Sequence, residues 1–384
     1  MTQLTVRVSG IDEFKSLFQN SKHESNVRFE FLNSRQSRYC AKEICHVLSN
    51  ESKICFLCLD LSYNPLTEED INELADFLKS ANCPSSIHLI LNNTSLSHGS
   101  IIVLANTLAL GCKASEVKLE LSKNAIGNEG ALVLANALQS EGCPKYIALN
   151  LALNNISDDG FVALANMLKS MTGAKNIFLN LLFNIATPNG AAAIIDGMKC
   201  RAAKDSLEIK YEFSKHGYQV IQKLSDTLKS KDCPVKLSLQ FGVRKLKIDE
   251  ISILFLALPS LNSNDQLELD LSEQSLNDQE FTLILNTLNG LQNGIKLSLY
   301  LVYNTIKKDG ALALVKFIEL NKFQAHIDMD LSQNSLGGTA YAQLIARTIQ
   351  EHPKILEHLT ITHESGEITD AVTSKLATSV QPRL

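Results

Sequence analysis

Residues 142–170 read GCPKYIALNLALNNISDDGFVALANMLKS, and two periodicities meet inside them. Ile147, Leu149 and Leu151 alternate with Ala148, Asn150 and Ala152, the period-two pattern of a strand that buries one face. After Asn154 the spacing changes. Leu164, Ala165 and Leu168 fall ten, eleven and fourteen residues on, which makes one apolar stripe of a helix. Gly160, six after Asn154, sits where the helix begins and where a side chain would hold it off the strand. One strand and one helix cannot bury these faces alone, so the unit must stack on copies of itself.

The copies are there. LDLSYNPL (59–66), LELSKNAI (119–126), LNLLFNIA (179–186), LYLVYNTI (299–306) and MDLSQNSL (329–336) put Asn64, Asn124, Asn184, Asn304 and Asn334 in the column of Asn154. Weaker copies supply Thr94, Ser214, Gly242, Gln274 and Glu364, and Ser34 extends the column upstream. Twelve repeats result, with a steady period of thirty except for one gap of 28 and one of 32 on either side of Gly242. An inward-pointing Asn can bond backbone groups exposed where the strand turns into the loop, on its own repeat and the next. Ser214, Gly242 and Gln274 break that ladder. Residues 1–26, with LTVRV and the amphipathic IDEFKSLF, read as an N-terminal cap; 27–367 form the solenoid; 368–384 form a C-terminal cap or tail.

This column resembles the leucine-rich repeats, and its period with a full helix resembles their ribonuclease-inhibitor-like subclass. The resemblance implies an α/β solenoid, a horseshoe with a concave parallel β-sheet and convex α-helices, built of twelve repeats of about 28–32 residues. It also implies a protein-binding role. The wording of residues 142–170 is similar to leucine-rich-repeat effectors that Legionella-type intracellular bacteria inject into host cells. On that likeness the target is a host protein, reached by secretion without a cleaved signal peptide into the host cytosol. One branch of the subclass activates small GTPases, which gives the alternative reading, a GTPase regulator. Such activators usually carry a strongly acidic tail, and SGEITDAVTSKLATSVQPRL (365–384) is not one.

Composition narrows the partner. The chain has 384 residues, 36 Lys+Arg against 41 Asp+Glu, and no basic run, so neither nucleic acid nor an anionic membrane surface is the expected ligand. Leucine, 60 residues or about 16%, exceeds the usual share, as a repeated apolar scaffold requires. The N-terminus lacks the basic start and apolar core of a secretory signal, so the expectation is a cytoplasmic monomer. The uncharged stretch 176–195 holds Asn176, Asn180, Asn184, Pro188 and Asn189, each costly in hydrocarbon. Nine Cys fit a reducing compartment better than a disulfide framework.

No phosphate-cradling loop, nucleophile elbow or HExxH is present, so no enzyme, cofactor or metal is expected. Cys40, Cys45, Cys55 and Cys58 fall within nineteen residues and invite a zinc reading. Cys40 and Cys45, however, take the slots that Gly130 and Ala135 fill in another repeat, where a small apolar residue packs. Cys83, Cys112, Cys143 and Cys233 recur just before strands and read as a buried ladder.

Strand parity sends the residues between the leucines to the concave face. Leu153, Phe178, Leu182, Phe183, Phe213 and Phe241 gather there in the central repeats, an apolar surface of the kind that marks a partner site. The competing reading is that Phe183, Phe213 and Phe241 tuck over the loop edge and replace the weakened Asn ladder. Farther along, Glu268, Asp270, Glu273, Asp328 and Asp330, with Tyr300 and Tyr303, form an acidic strip that favours a basic partner. The expected ligand is a folded protein or long peptide on this face.

Overall fold

The computed structural model describes the chain outside residues 1–3, 9–10, 21–25, 32–40, 50–53, 201, 203–204, 234–235, 243, 263, 293, 321, 338, 364–365 and 368–384. Ser34, Cys40, Glu364 and the C-terminal cap expected over 368–384 therefore lie outside the described residues. The described chain forms two compact units, Met1–Glu208 and Ile209–Leu384. Both are α/β solenoids of parallel strands alternating with helices, the architecture the repeat implies.

The first unit runs β1 (Leu4–Val8), α1 (Ile11–Asn20), β2 (Asn26–Phe31), α2 (Ala41–Ser49), β3 (Phe56–Asp60), α3 (Glu68–Lys79), β4 (Ser86–Ile90), α4 (His98–Leu110), β5 (Glu116–Glu120), α5 (Gly127–Leu138), β6 (Tyr146–Asn150), α6 (Asp158–Lys169), β7 (Asn176–Asn180) and α7 (Pro188–Gly197). Strands β1 to β7 pair parallel in chain order. From β2 onward each strand residue faces the one a full period of thirty farther along, as in Tyr146↔Asn176. Leu4 instead faces Val27, so β1 and α1 make a shortened first repeat whose Phe14 packs edge-on against Phe29, centroids 4.9 Å apart.

Leu57, Leu59 and Leu61, like Ile147, Leu149 and Leu151, are fully buried against the helices. The helices close on one another through Gly160, where a Cβ would lie 2.4 Å from Ile156 Cγ2 and 3.3 Å from Ala131 of the preceding helix. Each first turn also caps the next one. Asn128 Oδ1 accepts from Ser157 N at 2.8 Å and Gly160 N at 3.3 Å, and Asp158 Oδ1 accepts from Thr187 N at 2.7 Å. These side chains satisfy amide groups that a helix start leaves open.

The Asn column is an internal ladder, directed opposite to expectation. Asn154 Nδ2 donates to Leu121 O at 3.0 Å and Ala152 O at 3.2 Å, while its Oδ1 accepts from Asn124 N at 2.8 Å and Ile126 N at 3.4 Å. Asn124 and Asn184 repeat the pattern. Each Asn thus binds its own repeat and the preceding one. The side chain leans back toward the earlier turn, whose amides point at it.

β8 (Ser206–Lys210) straddles the boundary at Glu208. The second unit continues with α8 (Tyr218–Leu228), β9 (Lys236–Gln240), α9 (Ile248–Phe255), β10 (Gln266–Asp270), α10 (Asp278–Leu288), β11 (Lys296–Tyr300), α11 (Lys308–Leu320), β12 (His326–Asp330), α12 (Thr339–Glu351), β13 (Leu359–His363) and β14 (Gly366–Glu367). Strands β9 to β13 pair parallel in order, whereas β14 folds back antiparallel on β13. That hairpin ends the parallel order short of residue 367.

Two column assignments are corrected by the register. Lys236 pairs with Gln266, so the residue equivalent to Gln274 is Arg244, one full period earlier, and the apparent gaps of 28 and 32 around Gly242 vanish. Contacts agree: Gln274 Oε1 accepts from Leu246 N at 3.1 Å, as Asn304 Oδ1 accepts from Leu276 N at 3.0 Å. Gln274 therefore continues the ladder. Arg244 enters it with a guanidinium, donating to Ser214 O and pairing at 3.1 Å with buried Glu250. At the other end Ile327 pairs with Leu359, where the regular period would bring Glu357. The last repeat therefore carries two extra residues, and Gly366, not Glu364, is the equivalent of Asn334.

Candidate functional site

The residue just before the Asn column takes a left-handed backbone in nearly every repeat: Tyr63, Asn93, Lys123, Leu153 and Phe183 in the first unit, Glu273, Tyr303 and Gln333 in the second, all with φ between 54° and 63°. This conformation costs a non-glycine residue about 1–2 kcal/mol. It also swings the side chain off the sheet edge. Phe183 is 55% exposed and Leu153 41% exposed, and Leu153 N donates to Leu182 O at 3.1 Å, so the two repeats lie side by side. Phe178, in register with Ala148 on β6, and Leu182 are half-buried beside them. Ile185, 62% exposed just after the column, extends the apolar patch. Ile185 escapes the strand-parity reading, although its column otherwise holds Pro65, Ser95, Ala125 and Asn155.

Phe213 and Phe241 do not join that surface; both are fully buried. For Phe241 the cause is register. It stands three before Arg244, where Leu271 stands three before Gln274, and so belongs to the inward leucine column. For Phe213 the cause is the backbone. Glu212 turns with φ −77° and ψ 61°, Phe213 N donates back to Tyr211 O at 2.9 Å, and a 3-10 turn runs over Phe213–His216, as an inverse γ-turn allows. The side chain folds inward, 5.1 Å from the Tyr211 ring and 6.1 Å from Phe241. For these two the packing reading holds, not the surface one.

In the second unit the acidic strip lies on the sheet face away from the helices. Register places Asp270, Tyr300 and Asp330 in one row and Glu268, Ser298 and Asp328 in the next. Tyr300 is 41% exposed and Tyr303, at its left-handed position, 60%. Burial, followed by the fields of Glu268, Asp270, Asp328 and Asp330, raises the Tyr300 phenol above its ordinary pKa, because ionisation would add one more negative charge.

On the equivalent face of the first unit, carboxylates are paired with cationic side chains. Arg28 pairs with Glu30 at 2.9 Å and Asp60 at 3.7 Å, Lys118 with Glu116 at 3.5 Å, and His88 lies 3.6 Å from Glu120.

Burial pushes the Cys58 thiol up to about 11 and that of Cys83 up to about 12, the reverse of what a thiolate ligand or nucleophile needs. Among the described residues no group of three or more His, Cys, Asp or Glu is placed to hold a metal. In the recurring positions, Cys143 and Cys233 are buried and Cys83 and Cys112 half-buried. Cys143 Sγ donates to Pro144 O and Cys233 Sγ to Thr227 O.

A family model described as Leucine Rich repeat matches residues 117–135 and 147–165, the β5–α5 and β6–α6 repeats. With the repeated parallel strand and helix, this match supports a leucine-rich-repeat fold, an architecture whose extended surface commonly serves protein interaction. No curated protein matches the sequence at a significant level. Among the described residues no helix is long and apolar enough to cross a membrane.

Proposed function

We propose that the chain is a non-catalytic interaction module that takes a partner protein on the open face and rim of its sheet, with Leu153, Phe178, Leu182, Phe183 and Ile185 as the anchoring patch. One observation carries the reading. Phe183 is held outward by a strained backbone at φ 57°, at a position where two earlier repeats of the same unit place Asn93 and Lys123. Exposing a Phe there gains nothing for folding, whereas an aromatic anchor that loses its remaining exposure in a complex is a typical source of affinity.

A photo-reactive benzoylphenylalanine at position 183 should cross-link the partner, and the same group at Leu132, exposed on α5, should not. Equal adducts from both positions would remove the patch from the interface. The effector reading rests on the wording of residues 142–170, and its test is translocation of a reporter fusion into host cells by an intracellular bacterium. The GTPase-regulator reading has no described residue of either unit in its favour.

A further inference from the structure

We propose that the sheet face of β10 to β12 is a docking surface for a basic protein segment, with an arginine or lysine side chain lying over the Tyr300 ring between Asp270 and Asp330. This deepens the reading of the chain as a protein-binding module by giving one face a partner chemistry.

Among the described residues Glu268, Asp270, Glu273 and Asp330 have no cationic group within 4.0 Å, and Asp328 has only His326 at 3.7 Å. The same sheet face in the first unit pairs carboxylates with Arg28 and Lys118. The fold can thus neutralise such rows internally, and here it does not. Asp270 Oδ1 and Asp330 Oδ1 each accept from a turn amide, Ser272 N at 3.0 Å and Ser332 N at 2.9 Å, which fixes both carboxylates and leaves Oδ2 of each free.

The second observation is aromatic. Two partly exposed tyrosines stand in or beside these rows, and burial followed by the four carboxylates raises the Tyr300 phenol further above neutral pH, so its ring carries no charge. A neutral ring flanked by carboxylates suits a guanidinium, which stacks on the face and donates from its edges at once.

The spacing argues against a single ion. With strands about 4.8 Å apart, Asp270 and Asp330 stand about 10 Å apart across Tyr300, too far to share one metal, whose oxygen ligands sit within about 2.6 Å. Two rows on three strands accommodate several side chains of an extended chain.

The test is a fluorescence-anisotropy titration of the full chain, at physiological ionic strength, with a labelled peptide of alternating arginine and glycine and its citrulline counterpart. The arginine peptide should bind and the citrulline peptide should not. The triple variant Asp270→Asn, Asp328→Asn, Asp330→Asn, which keeps the turn acceptors, should weaken binding about tenfold or more. Tyr300→Leu should weaken it roughly threefold. A charge-matched control, Glu69→Gln, Asp76→Asn, Glu141→Gln, in exposed positions of the first unit, should change it by less than about twofold.

Equal loss in the control triple would show that net charge alone acts and would overturn the assignment, as would binding of the citrulline peptide or an unaffected Tyr300→Leu variant. Displacement of the peptide by spermine at the affinity of the peptide itself would assign the face to a polyamine instead. Thermal melts accompany each variant; if the triple is destabilised, Asp330→Asn and Tyr300→Leu singly carry the test. The peptide titration does not involve Phe183, so its failure leaves the Phe183 patch standing, and the reverse holds.

Discussion

Phe183 and Phe213 stand one full period apart at the same position of their repeats, immediately before the column, and they meet opposite fates. Phe183 is more than half exposed and Phe213 is fully buried. Nothing in the side chain distinguishes them. The regular repeat of the first unit takes the left-handed turn at Phe183 and throws the ring out, while the second unit opens with a 3-10 turn at Phe213 that folds the ring in. The local backbone decides whether a Phe is a contact surface or a core residue. Ladder chemistry changes with it: Asn154 and Asn184 bind backward, whereas Ser214 donates forward to Phe241 O at 2.8 Å.

The comparison is broken most forcefully by truncating the two rings. Phe213→Ser should cost about 3–5 kcal/mol in urea unfolding, the range for a buried aromatic, and Phe183→Ser less than about 0.5 kcal/mol, as for an exposed residue. The ladder provides the next contrast. Asn154→Leu strands buried donors and acceptors of two repeats and should cost about 3 kcal/mol, while Ser214→Ala removes one side-chain bond and should cost about 1 kcal/mol.

Arg244→Met should cost about 2 kcal/mol, less than a fully buried pair because Arg244 is a third exposed. Adding Glu250→Gln should recover part of that loss, since the stranded buried carboxylate goes with it. Equal stability of the single and double variants would show that Arg244 acts through Ser214 O alone. The smallest effect sharpens the functional side: Phe183→Gly, free of the left-handed penalty, should leave stability unchanged or raise it by up to about 1 kcal/mol. A clear loss instead would mean that the exposed ring packs.

Much of this is legible in the sequence. A regular period with a switch from strand to helix spacing identifies the repeat, because the leucine columns and the Asn ladder both require it. The irregular repeats hide what they do. Phe241 looks like a rim residue because Gly242 imitates a column position, while the true column residue is an arginine whose reach replaces an amide's. Phe213 is unreadable for a simpler reason: its fate depends on one turn at Glu212, and no periodicity encodes a single φ/ψ pair. The acidic rows are visible as columns, but whether their charges are paired is not, since pairing depends on side chains from neighbouring strands. The last repeat slips by two residues because the LTITH strand (359–363) gives no Asn to fix its register.

The most direct test is to combine Phe183→Ser with Ile185→Ser, both more than half exposed, and to measure melting temperature and partner retention on the same preparation. A binding patch predicts an unchanged melting temperature and loss of the partner that the wild-type chain retains. Retention of the partner, whether stability is kept or lost, would contradict the account and leave the exposed ring without the role assigned to it.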